Sequence, residues 1–84
     1  MKAMRVDIIT PETELRLDEV SLLQLTGTDG LFEILKGHAP LIAALGNGKA
    51  KMEVAGETKH FTLKGGVVEV LDDHIKVMTE SCEE

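Results

Sequence analysis

Three histidines, one cysteine and two serines are the residues with the most chemical reach in this 84-residue chain. His38, His60 and His74 are separated by 22 and 14 residues, so none has a partner at the short spacing typical of zinc sites. Cys82 lies in an acidic stretch, Glu80-Ser-Cys-Glu-Glu84, where carboxylates raise a thiol's pKa instead of activating it. A Ser/His/acid set can be written from Ser21 or Ser81 with His38 and Asp29, but nothing local positions the three groups. Gly48-Lys49 offers the middle of a phosphate-cradling G-x-x-x-x-G-K-[ST] loop. Ala43 and Ala50 stand where the first glycine and the hydroxyl belong. The paired carboxylates Asp18-Glu19, Asp72-Asp73 and Glu83-Glu84 fall at turns and ends, where a solvated charge is the ordinary outcome. No catalytic, metal or cofactor site is expected. His38 then serves either packing within a turn set by Gly37 and Pro40 or contact with another protein.

The charge balance excludes other classes. With nine basic residues against fifteen acidic ones the net charge is −6, and the basic residues form no stripe, so nucleic-acid binding is not expected. Hydrophobic content of 43% is that of a folded chain. No apolar run approaches the roughly 20 residues of a membrane-spanning helix. Asp7 and Pro11 interrupt the start before a signal-peptide core develops. One cysteine cannot form an internal disulfide, which points to a reducing compartment. Residues 1–84 are read as a single domain, since the length leaves nothing for a second core.

The elements that hold these residues have a period of two. Met4, Val6 and Ile8 alternate with Arg5 and Asp7, and Thr10-Pro11-Glu12 ends the strand. Leu15 and Leu17 open a second run, but at Asp18-Glu19 the apolar positions move from odd to even, with Val20 and Leu22 following. Side chains alternate between faces, so a bulge or break is expected there. Thr26-Gly-Thr-Asp-Gly30 reads as a turn, and Gly46-Asn-Gly48 as a tight turn whose residues accept positive φ. Ala50, Met52 and Val54 mark another strand; 59–63, 67–71 and 74–78 follow, parted by Gly65-Gly66 and Asp72-Asp73. Turn signals about every 8–12 residues predict an all-β fold, a flattened antiparallel β-sandwich or barrel of about ten short strands.

The segment Gly30–Leu45 is apolar on both sides of its strands. Leu31 and Phe32 are adjacent, so in an extended chain they face opposite ways; Ile34-Leu35 and Leu41-Ile42 repeat the pattern. Strands buried between two layers explain this, and so does an apolar patch beside a turn, as in a protein–protein contact.

The order of Val6-Asp-Ile-Ile-Thr-Pro11, Thr26-Gly-Thr-Asp-Gly30, Gly37-His-Ala-Pro-Leu41 and Gly65-Gly-Val-Val-Glu-Val70 resembles the ε subunit of F-type ATP synthase. The likeness is to its N-terminal β-sandwich domain and runs from about residue 4 to 80. It implies a ten-stranded, non-catalytic rotor subunit that fastens the γ shaft to the membrane c-ring, so that proton-driven rotation reaches the sites of ATP synthesis. By position, Thr26, Gly27, Thr28, Asp29, Gly30, Leu31, Phe32 and Glu33 would face the c-ring. Thr10, His38, Ala39, Pro40, Leu41, Ile42 and Ala43 would face γ, with apolar exposure at Phe32, Leu41 and Ile42 and roughly 800 Å² buried per side. Leu31 replaces a usually acidic residue of the family, and Lys36 a proline; Asp29 or Glu33 is then the expected source of charge toward the ring. Many family members continue into two C-terminal helices that bind ATP or inhibit, and these are expected to be missing here, with no nucleotide binding. The expected location is the cytoplasmic face of a bacterial plasma membrane, peripheral to it. Two rival readings are a generic β-sandwich interaction module with an unrelated partner and a small hydrolase using His38.

Overall fold

Alternation in the sequence becomes strand burial in the structure. A computed structural model describes residues 3–84 as nine strands: β1 (Met4–Ile9), β2 (Glu14–Gly27), β3 (Gly30–Leu35), β4 (Leu41–Leu45), β5 (Gly48–Val54), β6 (Glu57–Leu63), β7 (Gly66–Leu71), β8 (His74–Met78) and β9 (Cys82–Glu83). Among the described residues there is no helix. Met4, Val6 and Ile8 are buried as their spacing requires, and so are Ala50 and Met52 on β5 and Ile75 and Val77 on β8.

The long β2 belongs to two layers. Its first part pairs with β1 and its second with β3 and β5. The first sheet runs β2–β1–β8–β7–β4, and the second runs β3–β2–β5–β6–β9. A single pairing, Gly27 with Leu45, links the two again. Inner faces of both contribute to one core that includes Val20, Leu23, Leu25, Ile34, Phe61, Val68 and Val70. Neighbours are antiparallel with one exception: β1 and β8 run parallel, Val6 beside Ile75 and Ile8 beside Val77.

β2 changes layers by means of two extra residues. Met4 faces Val20 while Val6 faces Leu17, so β2 carries one residue more than β1 across that interval, and Glu19 takes φ 60°. This is the break expected at Asp18-Glu19. A second irregularity lies between Val20 and Leu22, opposite Val54 and Glu53. It returns the buried positions to Leu23 and Leu25 and turns Leu22 outward beside Leu35, against the expectation that Leu22 shares Val20's face. Two bulges in sequence cancel in parity, and the alternation of a single run cannot show the second one.

Gly46-Asn-Gly48 also differs from expectation. No residue there has positive φ, and the strands on either side are not partners: β4 pairs with β7 and β5 with β6 and β2. The connection carries the chain from the first sheet to the second. Gly48 is required by close approach, since a Cβ there would lie 2.7–2.9 Å from the Thr26 side chain. Two tight hairpins, Ala55-Gly56 and Asp72-Asp73, have φ of 49° and 84°, and 50° and 61°, the double positive φ that suits the right-handed twist of the strands.

Candidate functional site: the outer face of the first sheet

The pairing registers place the outward residues of the first sheet in rows. One row reads Ala44, Val67, Met78 and Ile9 across β4, β7, β8 and β1. The next reads Ile42, Glu69, Lys76 and Asp7, and ends on Arg16 of β2. The third is Leu71, His74 and Arg5. Ile42 is 72% exposed and Leu71 54%, with Val67 and Met78 near two-fifths. A groove of about 550 Å³ beside Ile42 and Leu71 is lined by Pro40, Leu41, Ile42, Glu69, Val70 and Leu71. Large apolar side chains exposed together on one sheet face, here interrupted by the Glu69–Lys76 row, are the mark of a surface that binds.

On the same face three polar groups, Asp7, His74 and Arg5, are joined. Asp7 is buried, and its carboxylate accepts from His74 Nε2 at 2.8 Å and from Arg5 Nη2 at 3.2 Å, with Arg5 Nε 3.4 Å from the second oxygen. The hydrogen bond from His74 holds its pKa below the ordinary aspartate value against the opposing effect of burial, and the Arg5 guanidinium adds to the lowering. A carboxyl whose folded pKa is depressed contributes stability above its unfolded pKa of about 3.9, and that contribution is lost as pH falls below it. Asp7→Asn should therefore lower the urea midpoint at pH 7, with the deficit shrinking toward pH 3. An equal deficit at both pH values would refute this assignment.

The residues expected to face a ring gather on one hairpin. Thr28 and Asp29 form its exposed tip, and Gly30 takes φ 125°. Thr26 Oγ1 donates to the Lys49 carbonyl at 3.0 Å, and Glu33 accepts from Gln24 Nε2 at 3.4 Å. Leu31 is 67% exposed, whereas Phe32 is half-buried against the core. The second expected set does not stay together. His38 to Pro40 sit at the end of the first sheet where Leu71, His74 and Arg5 lie. Thr10 sits at the opposite end beyond Ile9, in a turn with Thr13, whose N–H donates to Thr10 Oγ1 at 3.0 Å. Ile42 and Ala43 lie between, and they also share a groove of about 500 Å³ with residues 27–32 of the hairpin. Ile42 is the exposed one of the three apolar residues expected at the surface; Leu41, like Phe32, is half-buried.

His38 donates its backbone N–H to the Leu35 carbonyl at 3.0 Å, and its Nδ1 lies 2.7 Å from the Ala39 carbonyl. It has neither a nucleophile nor a carboxylate beside it among the described contacts. Among the described residues no cluster of His, Cys, Asp or Glu is arranged to hold a metal. Burial, then the charge of Glu84, pushes the Cys82 thiol up, away from nucleophilic use. The sequence did not reveal Leu71, Val67 and Met78 as surface residues. Their signal is the adjacency of Val67 to Val68 and of Val70 to Leu71, which makes β7 apolar on both faces.

Comparison with known proteins bears on this geometry. The family described as ATP synthase, Delta/Epsilon chain, beta-sandwich domain matches residues 3–84. The chain is 36% identical over 80 residues to the ATP synthase epsilon chain of Solibacter usitatus, covering 95% of this chain and 60% of that one. It is 40% identical over 80 residues to the epsilon chain of Chlorobium limicola, covering 94% and 91%. In fold it is similar to a chain of the Tetrahymena thermophila mitochondrial ATP synthase central stalk and c-ring, with TM-score 0.84 and 22% identity over 100% of this chain and 69% of that one. A chain of the Euglena gracilis mitochondrial ATP synthase OSCP/F1/c-ring assembly gives TM-score 0.88 and 18% identity, covering 98% and 53%.

Proposed function

Since the chain belongs to the ATP synthase delta/epsilon-chain β-sandwich family, we propose that it acts as a non-catalytic rotor subunit that joins the γ shaft to the c-ring of an F-type, proton-translocating ATP synthase. The observation that carries this reading is the apolar band on the outer face of the first sheet, with Ile42 and Leu71 more than half exposed. γ covers that band and the adjoining 38–43 segment. The hairpin Thr26–Glu33 meets the polar loops of the ring. Rotation needs a rigid mechanical link at each contact and no reacting group, which accords with an isolated His38 and an unreactive Cys82. The subunit is held at the cytoplasmic face of a bacterial membrane by these partners; no helix among the described residues is long and apolar enough to cross one.

The test is co-purification of the recombinant chain with γ and with detergent-solubilised ring. Capture of neither would overturn the reading and favour an unrelated partner.

Charge toward the ring comes from the hairpin. Asp29 stands at the exposed tip, while Glu33 is engaged by Gln24, so Asp29 carries the larger share. Asp29→Ala should weaken ring association roughly two- to fivefold, the range of an exposed ion pair, and Glu33→Ala less. Unimpaired proton-coupled ATP synthesis in membranes carrying the double variant would refute a role for either carboxylate.

A further inference from the structure

The turn between β7 and β8 touches the segment that leads into β4, and the contact runs through one side chain. Gly37 N–H donates to Asp73 Oδ1 at 2.7 Å, and Lys36 Nζ lies 3.9 Å from Asp73 Oδ2. The Asp73 carbonyl in turn accepts from Arg5 N–H at 3.0 Å, which anchors the turn to β1. The other hydrogen bonds of residues 36–40, His38 to Leu35 and His38 to Ala39, are local. Among the described residues, the hydrogen bond and ion pair that join this segment to a distant part of the fold both run through Asp73.

The backbone at Asp73 makes the choice of residue informative. Its φ is 61°, following 50° at Asp72. Glycine takes that conformation with less strain, and Asp-Gly is the preferred pair for such a hairpin. An aspartate kept there carries a carboxylate aimed at the neighbouring turn.

We propose that Asp73 is a positioning residue for docking: it latches the β7–β8 turn to Gly37 and so holds His38, Ala39 and Pro40 in the arrangement that continues the apolar band of Ile42 and Leu71. This rests on the docking reading above. Without the latch the 36–40 segment samples other arrangements, and a partner must select the competent one, which weakens apparent affinity by the fraction that remains competent.

Two substitutions separate the latch from the turn. Asp73→Gly completes the preferred Asp-Gly hairpin while deleting the acceptor, so the free chain should unfold at the same or a higher temperature. Its Gly37 amide should exchange with solvent about tenfold faster, and its affinity for purified γ should fall about tenfold if a tenth of the population stays competent. Asp73→Asn keeps a carbonyl acceptor and tolerates positive φ; it should retain Gly37 protection and bind within about twofold of the parent, losing only the charge assistance. Parental affinity in Asp73→Gly alongside a released Gly37 amide would overturn the proposal, and so would unchanged Gly37 protection. Failure of the parent itself to bind γ would overturn the docking reading, while Gly37 exchange would still judge the latch.

Discussion

Ile42→Lys should reduce affinity for γ by roughly a hundredfold, about 3 kcal/mol, with little change in the fold of the free chain. Ile42 is 72% exposed on the outer face of β4, so the free protein loses almost no burial when it is replaced. Its cross-strand neighbour is Glu69, which gives a lysine at this position an opposite charge to face. The unfolding temperature should therefore stay within about 4 °C of the parent. In the complex the same ammonium would be pressed against an apolar partner surface without water, and that is where the cost falls. Adding Leu71→Lys should abolish measurable binding. Thr62→Lys, at an exposed position of β6 in the second sheet, serves as the comparison: γ affinity is expected to persist. Equal losses from Thr62 and Ile42 would mean that the band on the first sheet is not the docking face.

The second large effect concerns the fold. Gly66→Ala should destabilise by about 3–5 kcal/mol, the combined range of backbone strain and core overpacking. Gly66 begins β7 at φ 121°, a conformation nearly closed to other residues, and a Cβ there would overlap the Met78 carbonyl on β8. Relief requires parting β7 from β8 at the end where Val67 pairs with Met78, and the core residues Val68 and Val77 sit immediately inside that pair. A domain of this size has roughly 4–12 kcal/mol to lose, so the variant should melt some 15–30 °C lower. Gly56→Ala is the matched control: φ is 84°, but nothing lies within 4 Å of the added carbon, so only the strain of the turn is felt. A Gly66→Ala variant no less stable than Gly56→Ala would show that the β7–β8 contact is looser than described.

Much of this fold was legible where one local pattern decides one local structure. β1, β5 and β8 follow from alternation, and the break at Glu19 from a change of parity that no regular strand can make. What was not legible depends on residues far apart. The parallel pairing of β1 with β8 joins segments at opposite ends of the chain and has no signature in either. β9 is two residues whose place is set by Thr62 and Leu63. Gly46-Asn-Gly48 has the composition of a hairpin, yet it serves a crossing between sheets, because Gly48 answers to Thr26 and not to its own neighbours.

The site divides in the same way. Ile42 and the 26–33 hairpin enter the proposed contacts through family likeness. Leu71 and Val67 could not be named from sequence, because β7 is an unbroken apolar run apart from Glu69, and such a run reads as a strand buried on both sides. Only the register, Val68 and Val70 inward and Val67 and Leu71 outward, shows that half of its apolar surface has no covering within this chain.

The central claim, that the outer face of the first sheet is covered by γ, is tested most directly by amide hydrogen exchange of the chain with and without purified γ. Slowed exchange at β4, at the free-edge amide of Ile42 above all, and through residues 38–43 and β7 is the result expected. Protection confined to β5 and β6 of the second sheet, with β4 and β7 unchanged, would contradict it.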